Sequence, residues 1–284
     1  MTASPPLPCG TLYVVATPLG NLEDITLRAV RILREVSLVA CEDTRRTAVL
    51  LRAHDIHTAT TSFFEHNERA KGDRLLDALR SGKSVALVSD AGTPGISDPG
   101  YRLVREARRA GLAVIPVPGP SAAVAALSVS GLPTDRFLFV GFLPGRSGER
   151  QRALCSLAGV KETLVVYEAP TRVRETLADM QEAWGDRDAF LCREATKVHE
   201  EYVAAPLSQL ALRLGARDTV RGEIVLVVAG AGEPPPMESL EEAFARHVAL
   251  GRTRREAVKE AAKVAGIPAR EAYRRLLPRS ADGE

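Results

Sequence analysis

Apolar positions along the chain repeat with two spacings that alternate. Nearly unbroken apolar runs occur at 11–17 (TLYVVAT), 37–41 (SLVAC), 84–88 (SVALV) and 111–117 (GLAVIPV). They read as strands. Between them the spacing widens to three and four. In 24–36 (DITLRAVRILREV), Ile25, Leu27, Val30 and Leu33 fall on roughly one helical face, with Asp24 as the expected N-cap. Helices are expected also over 43–54, over 68–82 with Gly82 closing the last turn, over 99–110, and over 119–131, where the residues are small. Short apolar runs alternating with helices predict a parallel or mixed α/β sheet.

The rhythm breaks and then resumes. In 137–151 (FLFVGFLPGRSGERQ) a strand ends in a connector of Gly, Pro, Ser and Arg. A second α/β set follows: 162–169, 171–185, 187–195, 200–206 and 222–230, in which Val225–Val228 is apolar throughout, as a central strand would be. The fold class is therefore α/β, with two α/β domains over about 11–140 and 145–231 and no internal repeat. Residues 1–10 read as a disordered tail, and 232–240 as a Pro-rich linker favouring extended backbone. Residues 241–284 carry three short helical patterns interrupted at Gly266-Ile267-Pro268, a small helix-turn-helix-like unit.

Composition narrows this only a little. With 284 residues, 45% hydrophobic and 26% charged, the chain is an ordinary globular protein with a sizeable core. No apolar run approaches the roughly 18 residues that span a bilayer, and the N-terminus lacks a basic start and an apolar core, so it is not a secretion signal. The four Cys form no CxxC pair and no zinc spacing, which fits thiols in a reducing compartment. Net charge is only +2, but it is uneven. Between Arg252 and Arg279 nine basic residues face three Glu, a local net of +6. That excess suits a phosphate backbone, and a solvated helix face would carry it equally well.

Candidate chemistry gathers in loops after strands, where open α/β sheets bind ligands. A plain βα connection needs about 2–6 residues, yet Ser89–Gly100 is a long loop of mostly small residues with two Asp. Asp98 before Pro99 reads as a helix N-cap with Pro at N1, which leaves Asp90 as the unexplained carboxylate. Two such Asp more often form caps and turns than a metal site, and no metal is expected. The stretch 17–29 (TPLGNLEDITLRA) has no G-x-G-x-x-G, and there is no P-loop sequence. In 116–126 (PVPGPSAAVAA), Gly119 permits close backbone approach, and Ser121-Ala122 open a helix with free N–H groups. Finally, Glu168, Arg172, Arg193, Glu194, Lys197 and Glu200 follow two strands, as a structural ion-pair cluster or as a site. His66, within EHNE, is the most interesting His.

Taken in order, LYVVATPLGNLEDITLRA, ACEDTR, EHNE, VALVSDAGTPGISDPGYRLV, PVPGPSAAVAAL, GLPTDRFLFVGFLP, YEAPTR, REATKVHEE and RGEIVLVVAG resemble the bacterial 16S ribosomal RNA cytidine 2′-O-ribose methyltransferase family of the tetrapyrrole-methylase superfamily, over about residues 11–230. The resemblance implies S-adenosylmethionine bound folded in a cleft between two α/β domains. By position, the cofactor site would comprise Leu19, Gly92, Thr93, Pro94, Ile96, Ser97, Ser121, Ala122, Tyr167 and the surroundings of Arg193, with strand 224–228 as its floor. Where the superfamily has a Gly-Asp-Pro turn, this chain has Gly92-Thr93-Pro94, so a carboxylate is lost while a backbone-lined pocket survives. The implied substrate is a decoding-centre cytidine of 16S rRNA in the assembled 30S subunit, methylated in the cytoplasm by a homodimer, with no membrane or DNA partner.

Transfer from a sulfonium asks the protein to align methyl and ribose oxygen and to help remove the 2′-hydroxyl proton. Lys197 is the first candidate base, on the expectation that burial lowers its pKa. His66 is second, with Glu65 and Glu168 behind. Arg45, Arg46 and Arg172 are candidates to hold RNA phosphates, as are Arg254, Arg255 and Arg274 in the basic tail. Two alternatives remain: a methyltransferase for a tetrapyrrole-like small molecule, and a non-catalytic RNA-binding assembly factor.

Overall fold

The long apolar runs become two five-stranded sheets. A computed structural model of the chain describes residues 10–64, 66–232 and 239–276. The tail read over 1–10 and the linker read over 232–240 lie mostly outside these residues, as does Glu65. The chain divides into two units, residues 1–230 and 231–284.

The first sheet holds β1 (Thr11–Val15), β2 (Leu38–Cys41), β3 (Thr60–Ser62), β4 (Val85–Val88) and β5 (Ala113–Val117) in the order β3-β2-β4-β1-β5, with every pairing parallel. Its central strands must be covered on both faces, which is why β4 is buried at every position. On one face Tyr13, Val15 and Val39 pack with Ile32 and Leu33 of α1 (Leu27–Glu35) and Leu51 of α2 (Thr44–Ala53). On the other, Leu12, Val85 and Leu87 pack with Leu75 and Leu79 of α3 (Glu68–Arg80) and Leu103 of α4 (Tyr101–Arg109). Helix α1 starts later than the sequence pattern predicts. Thr26 caps it by accepting the Ala29 N–H (3.1 Å), while Leu22–Asp24 forms a separate 3₁₀ turn capped by Asn21, so Asp24 is not the cap.

Helix α5 (Ala122–Val129) leaves the first sheet and packs on the second. That sheet contains β6 (Phe137–Phe142), β7 (Thr163–Glu168), β8 (Asp188–Arg193), β9 (Glu201–Pro206) and β10 (Ile224–Val228) in the order β6-β7-β10-β8-β9. Strand β10 is central and entirely buried, as its unbroken apolar run predicts, and it runs antiparallel to β7 and β8. Ala123, Ala126 and Leu127 of α5 cover one face against Val165, Phe190 and Val225. The opposite face is covered by α6 (Ser147–Leu157), α7 (Val173–Trp184) and α8 (Leu207–Gly215).

Helices α6 and α8 were not legible in the sequence. The stretch read as a connector up to residue 151 contains the start of α6, because its inward face is only Arg150 and Leu154 and gives almost no apolar signal. Arg150 is 1% exposed and is neutralised by α7: its Nε donates to Asp179 (2.6 Å), and Glu175 lies 3.4 Å from a terminal nitrogen.

The second unit contains α9 (Leu240–Ala249), α10 (Arg254–Val264) and α11 (Ala269–Leu276) around a small core of Leu240, Ala243, Val258, Ala261 and Ala272. Reciprocal Ser239–Glu242 and Thr253–Glu256 capping boxes fix the starts of α9 and α10. Arg254, Arg255 and Arg274 are exposed on α10 and α11. Among the described residues no helix is long and apolar enough to cross a membrane.

Candidate functional site

Parallel strands deliver their following loops to one edge of the sheet, and here the loops after β1 and β4 are sewn together. The Thr17 N–H donates to the Gly92 carbonyl (2.8 Å), the Gly92 N–H donates to that of Thr17 (3.0 Å), and the Thr17 hydroxyl donates to the Ser89 carbonyl (3.1 Å). The loop then turns through Ser97, whose φ of 59° lies in the left-handed region that L side chains avoid. Glu194 and Thr196, in the loop after β8, share this strained conformation. Such strain persists only where the surroundings enforce it, and it concentrates at functional sites.

These loops and the facing edge of the second sheet enclose a cavity of about 360 Å³. Leu19, Gly92, Thr93, Ile96 and Ser97 line it from the loops after β1 and β4, Ser121 and Ala122 from the start of α5, and Tyr167 from β7. Ile224 and Val225 of β10 form part of its wall, where the sequence reading placed a floor. The walls are mostly apolar. Cys192 contributes a neutral thiol, since burial pushes its pKa up to about 11. Tyr167 also serves the fold, its hydroxyl accepting the Ala123 N–H (3.1 Å) at an otherwise uncapped helix start. Tyr167→Phe is expected to leave that N–H unpaired and to cost about 1–2 kcal/mol of stability, read as a lower urea midpoint with an unchanged m-value.

The sequence reading of the two loop aspartates is reversed. Asp98 is not the cap of α4. Gly100 takes that position, with a φ of 134° and no side-chain cap. A Cβ there would also meet Leu87 at 2.7 Å, so only glycine fits. Freed from capping, Asp98 lines the cavity, half-buried and hydrogen-bonded to Ser89. Desolvation, then the neighbouring carboxylates Glu42, Asp90 and Glu223, push its pKa up to about 6. Asp90 is the structural one, accepting the Asp43 N–H (3.0 Å) and pairing with Arg46 (3.1 Å).

Two residues expected at the cofactor site lie outside the cavity lining. Pro94 is buried and does not line the cavity. Arg193 turns away to Glu201 (2.8 Å), a carboxylate that also binds Arg217 (2.5 Å) and Arg213 (3.2 Å). The candidate bases separate as well. Burial acts to lower the Lys197 pKa, as expected, but hydrogen bonds to Glu194 (2.7 Å) and Glu223 (3.0 Å) outweigh it and raise the pKa above that of a free lysine. Lys197 is therefore an ammonium, and it lines a neighbouring cavity of about 300 Å³ with Arg46 and Asp90. Its stem crosses Gly20 so closely that a Cβ there would overlap it. Glu168 lines the main cavity, but its oxygens are committed to Thr176 (2.6 Å), the Ala169 N–H (2.7 Å) and Arg172 (2.8 Å). His66 lies in a third cavity, of about 740 Å³, which shares Ser97 and Asp98 with the first.

Of the arginines read as phosphate ligands, Arg45 is exposed and bound to its helix cap Asp43 (2.8 Å), while Arg46 and Arg172 are held in the ion pairs given above. Phe142 and Gly222 also line the main cavity, and nothing in their local sequence distinguished them.

The chain is similar over residues 11–211 to the family described as Tetrapyrrole (Corrin/Porphyrin) Methylases. It is 47% identical over 271 residues to Ribosomal RNA small subunit methyltransferase I of Halalkalibacterium halodurans, covering 93% of each chain. To the protein of the same name from Mesorhizobium japonicum it is 49% identical, covering 94% of this chain and 91% of the relative. Among solved structures it resembles a cobalt precorrin-4 methyltransferase (TM-score 0.58, 19% identity, 80% of this chain and 97% of the other). It also resembles a diphthine synthase (TM-score 0.59, 18% identity, 78% and 90%). At those identities the likeness speaks for the fold.

Proposed function

The chain belongs to the tetrapyrrole (corrin/porphyrin) methylase family, and from that premise we propose that it methylates small-subunit ribosomal RNA, using S-adenosylmethionine, at the 2′-hydroxyl of a decoding-centre cytidine. The observation that carries the reading is a mostly apolar cavity with one half-buried, weakly acidic carboxylate, adjoining a wider cavity through a shared Ser97-Asp98 wall. A cationic ligand with a flat aromatic part fits this donor set. Apolar walls receive the ring, and the Asp98 carboxylate, disfavoured by burial and acidic neighbours when alone, is stabilised by a positive group beside it. When bound, S-adenosylmethionine supplies an electrophilic methyl group on a positively charged sulfur. Ile96, Cys192, Ile224 and Val225 would exclude water from it, the Gly92-Thr93 backbone would line its site, and Asp98 would balance its charge. The Thr93 hydroxyl, where the superfamily has Asp, is turned to the Pro120 carbonyl (3.4 Å).

His66 is the group that takes the acceptor proton. It lines the adjoining cavity, whereas Lys197 is held as an ammonium and Glu168 is fully engaged. His66→Gln is expected to lower kcat by about 10²–10⁴-fold while leaving cofactor affinity within twofold, as measured by calorimetry and single-turnover transfer. The acceptor is 16S rRNA within the 30S subunit, which places the work in the cytoplasm. The protein acts as a homodimer, a reading supported by exposed Val124 and Val129 on α5 and Phe137 on edge strand β6. The basic face of α10 and α11, with Arg254, Arg255 and Arg274, adds phosphate contacts. The test is methyl transfer from labelled S-adenosylmethionine to unmodified 30S subunits, naked 16S rRNA and 70S ribosomes, followed by nucleoside analysis. Labelled 2′-O-methylcytidine from 30S supports the reading, and no label in any RNA with cofactor binding intact overturns it.

A further inference from the structure

The wider cavity beside the cofactor site has a composition that the fold does not need. Phe64 and Tyr101 line it, exposed by 37% and 68%, where neither ring contributes to a core. The Arg105 guanidinium lies over the Tyr101 ring, 5.6 Å from its centre, and is steadied by Glu106 (3.0 Å). Arg102 also lines the cavity, is exposed, and has no ion-pair partner among the described residues. Glu68 fixes the two sides together: its carboxylate accepts the Gly100 N–H (3.2 Å), tying the loop that carries Phe64 and His66 to the start of α4. Glu42 and Asp98 lie in the same wall, so a phosphate is repelled there and belongs on the arginine side.

Exposed aromatic rings next to an unpaired arginine are how proteins hold an unstacked nucleotide: the ring receives the base and the cation receives the phosphate. We propose that this cavity seats one unpaired nucleotide of the RNA acceptor, its base stacked on the Tyr101–Arg105 pair and its phosphate on Arg102. The assignment rests on the ribosomal-RNA reading above. It adds a specificity surface, because a base still stacked in a duplex cannot reach Tyr101. The acceptor must therefore present a single-stranded or extruded residue.

The test measures binding of 30S subunits alongside methyl transfer, with the full-length protein and its Tyr101→Ala, Tyr101→Phe and Arg102→Ala variants. Each change lies on an exposed side chain, and cofactor affinity within twofold of native verifies an intact fold. Tyr101→Ala is expected to raise both the 30S dissociation constant and KM at least tenfold, and Tyr101→Phe, which keeps the ring, to restore them. Arg102→Ala is expected to weaken binding severalfold and to reduce the slope of log affinity against log salt by about 1. Native 30S affinity in Tyr101→Ala overturns the assignment whether or not transfer occurs. Failure of the native protein to methylate RNA strikes the parent reading instead.

Discussion

Replacing Asp98 with Asn is expected to weaken S-adenosylmethionine binding at pH 8 by 10- to 150-fold, the roughly 1.5–3 kcal/mol of a charged hydrogen bond lost from a partly buried site. The same change is expected to make the empty protein more stable. The two effects have one cause. With a pKa of about 6, against an ordinary value near 4, the folded protein holds the Asp98 proton more tightly than the unfolded chain. That contribution to stability is fully present below about pH 4 and is lost as pH rises through 6. At pH 8 the native protein therefore carries a carboxylate that burial and its acidic neighbours disfavour, and Asn removes it. Binding has the opposite dependence. Native affinity should be constant above pH 7 and fall about tenfold per unit below 6, whereas the Asn variant should be flat. Calorimetric titrations from pH 5 to 8, paired with thermal unfolding without ligand, read both. A native affinity that does not change across that range would remove Asp98 from the cation site.

The largest expected loss of stability lies away from the cavity. Arg150→Met is expected to destabilise the first unit by about 3–5 kcal/mol, because Asp179 would be left as a buried charge without its partner. The double variant Arg150→Met with Asp179→Leu should recover most of this, since an apolar pair of similar volume often replaces a buried ion pair at little cost. Urea unfolding of the two single variants and the double variant measures the coupling directly. A single variant as stable as the native protein would mean that Asp179 finds water or another cation.

The contrast between Asp98 and Asp90 shows where sequence reasoning reached the site and where it stopped. Composition alone marked Ser89–Gly100 as more than a connection, and the sheet placed it at the cavity. The role of each aspartate depended on a backbone dihedral. Asp98-Pro99 has the form of a helix cap, but Ser97 is held at positive φ and Gly100 takes the capping position, which turns the carboxylate inward. Nothing in a serine announces that conformation. The charged cluster after β7 and β8 was visible as a cluster, but its pairings were not, because the deciding partners are remote: Glu223 holds Lys197, and Arg217 joins Arg193 on Glu201. Burial of Lys197 was anticipated, and its second carboxylate was not. Helix α6 was missed for a related reason, its inward face being built on a charged residue that only α7 makes tolerable.

The strand orders also constrain how a ribosome can make this protein. Among the described residues strand β1 pairs only with β4 and β5, so it leaves the exit tunnel with no partner until residues 85–88 follow. At ~5–20 residues per second that delay is roughly 4–14 s. The second sheet repeats the problem from the other end, since β7 and β8 are bridged only by β10 at residues 224–228. Until then two apolar strands present open edges to solvent. Nascent chains halted before residue 224 should thus bind holdase chaperones, and release should coincide with the emergence of Ile224–Val228. Because Ile224 and Val225 form part of the cavity wall, a translation product truncated before residue 224 cannot carry the complete cofactor cavity.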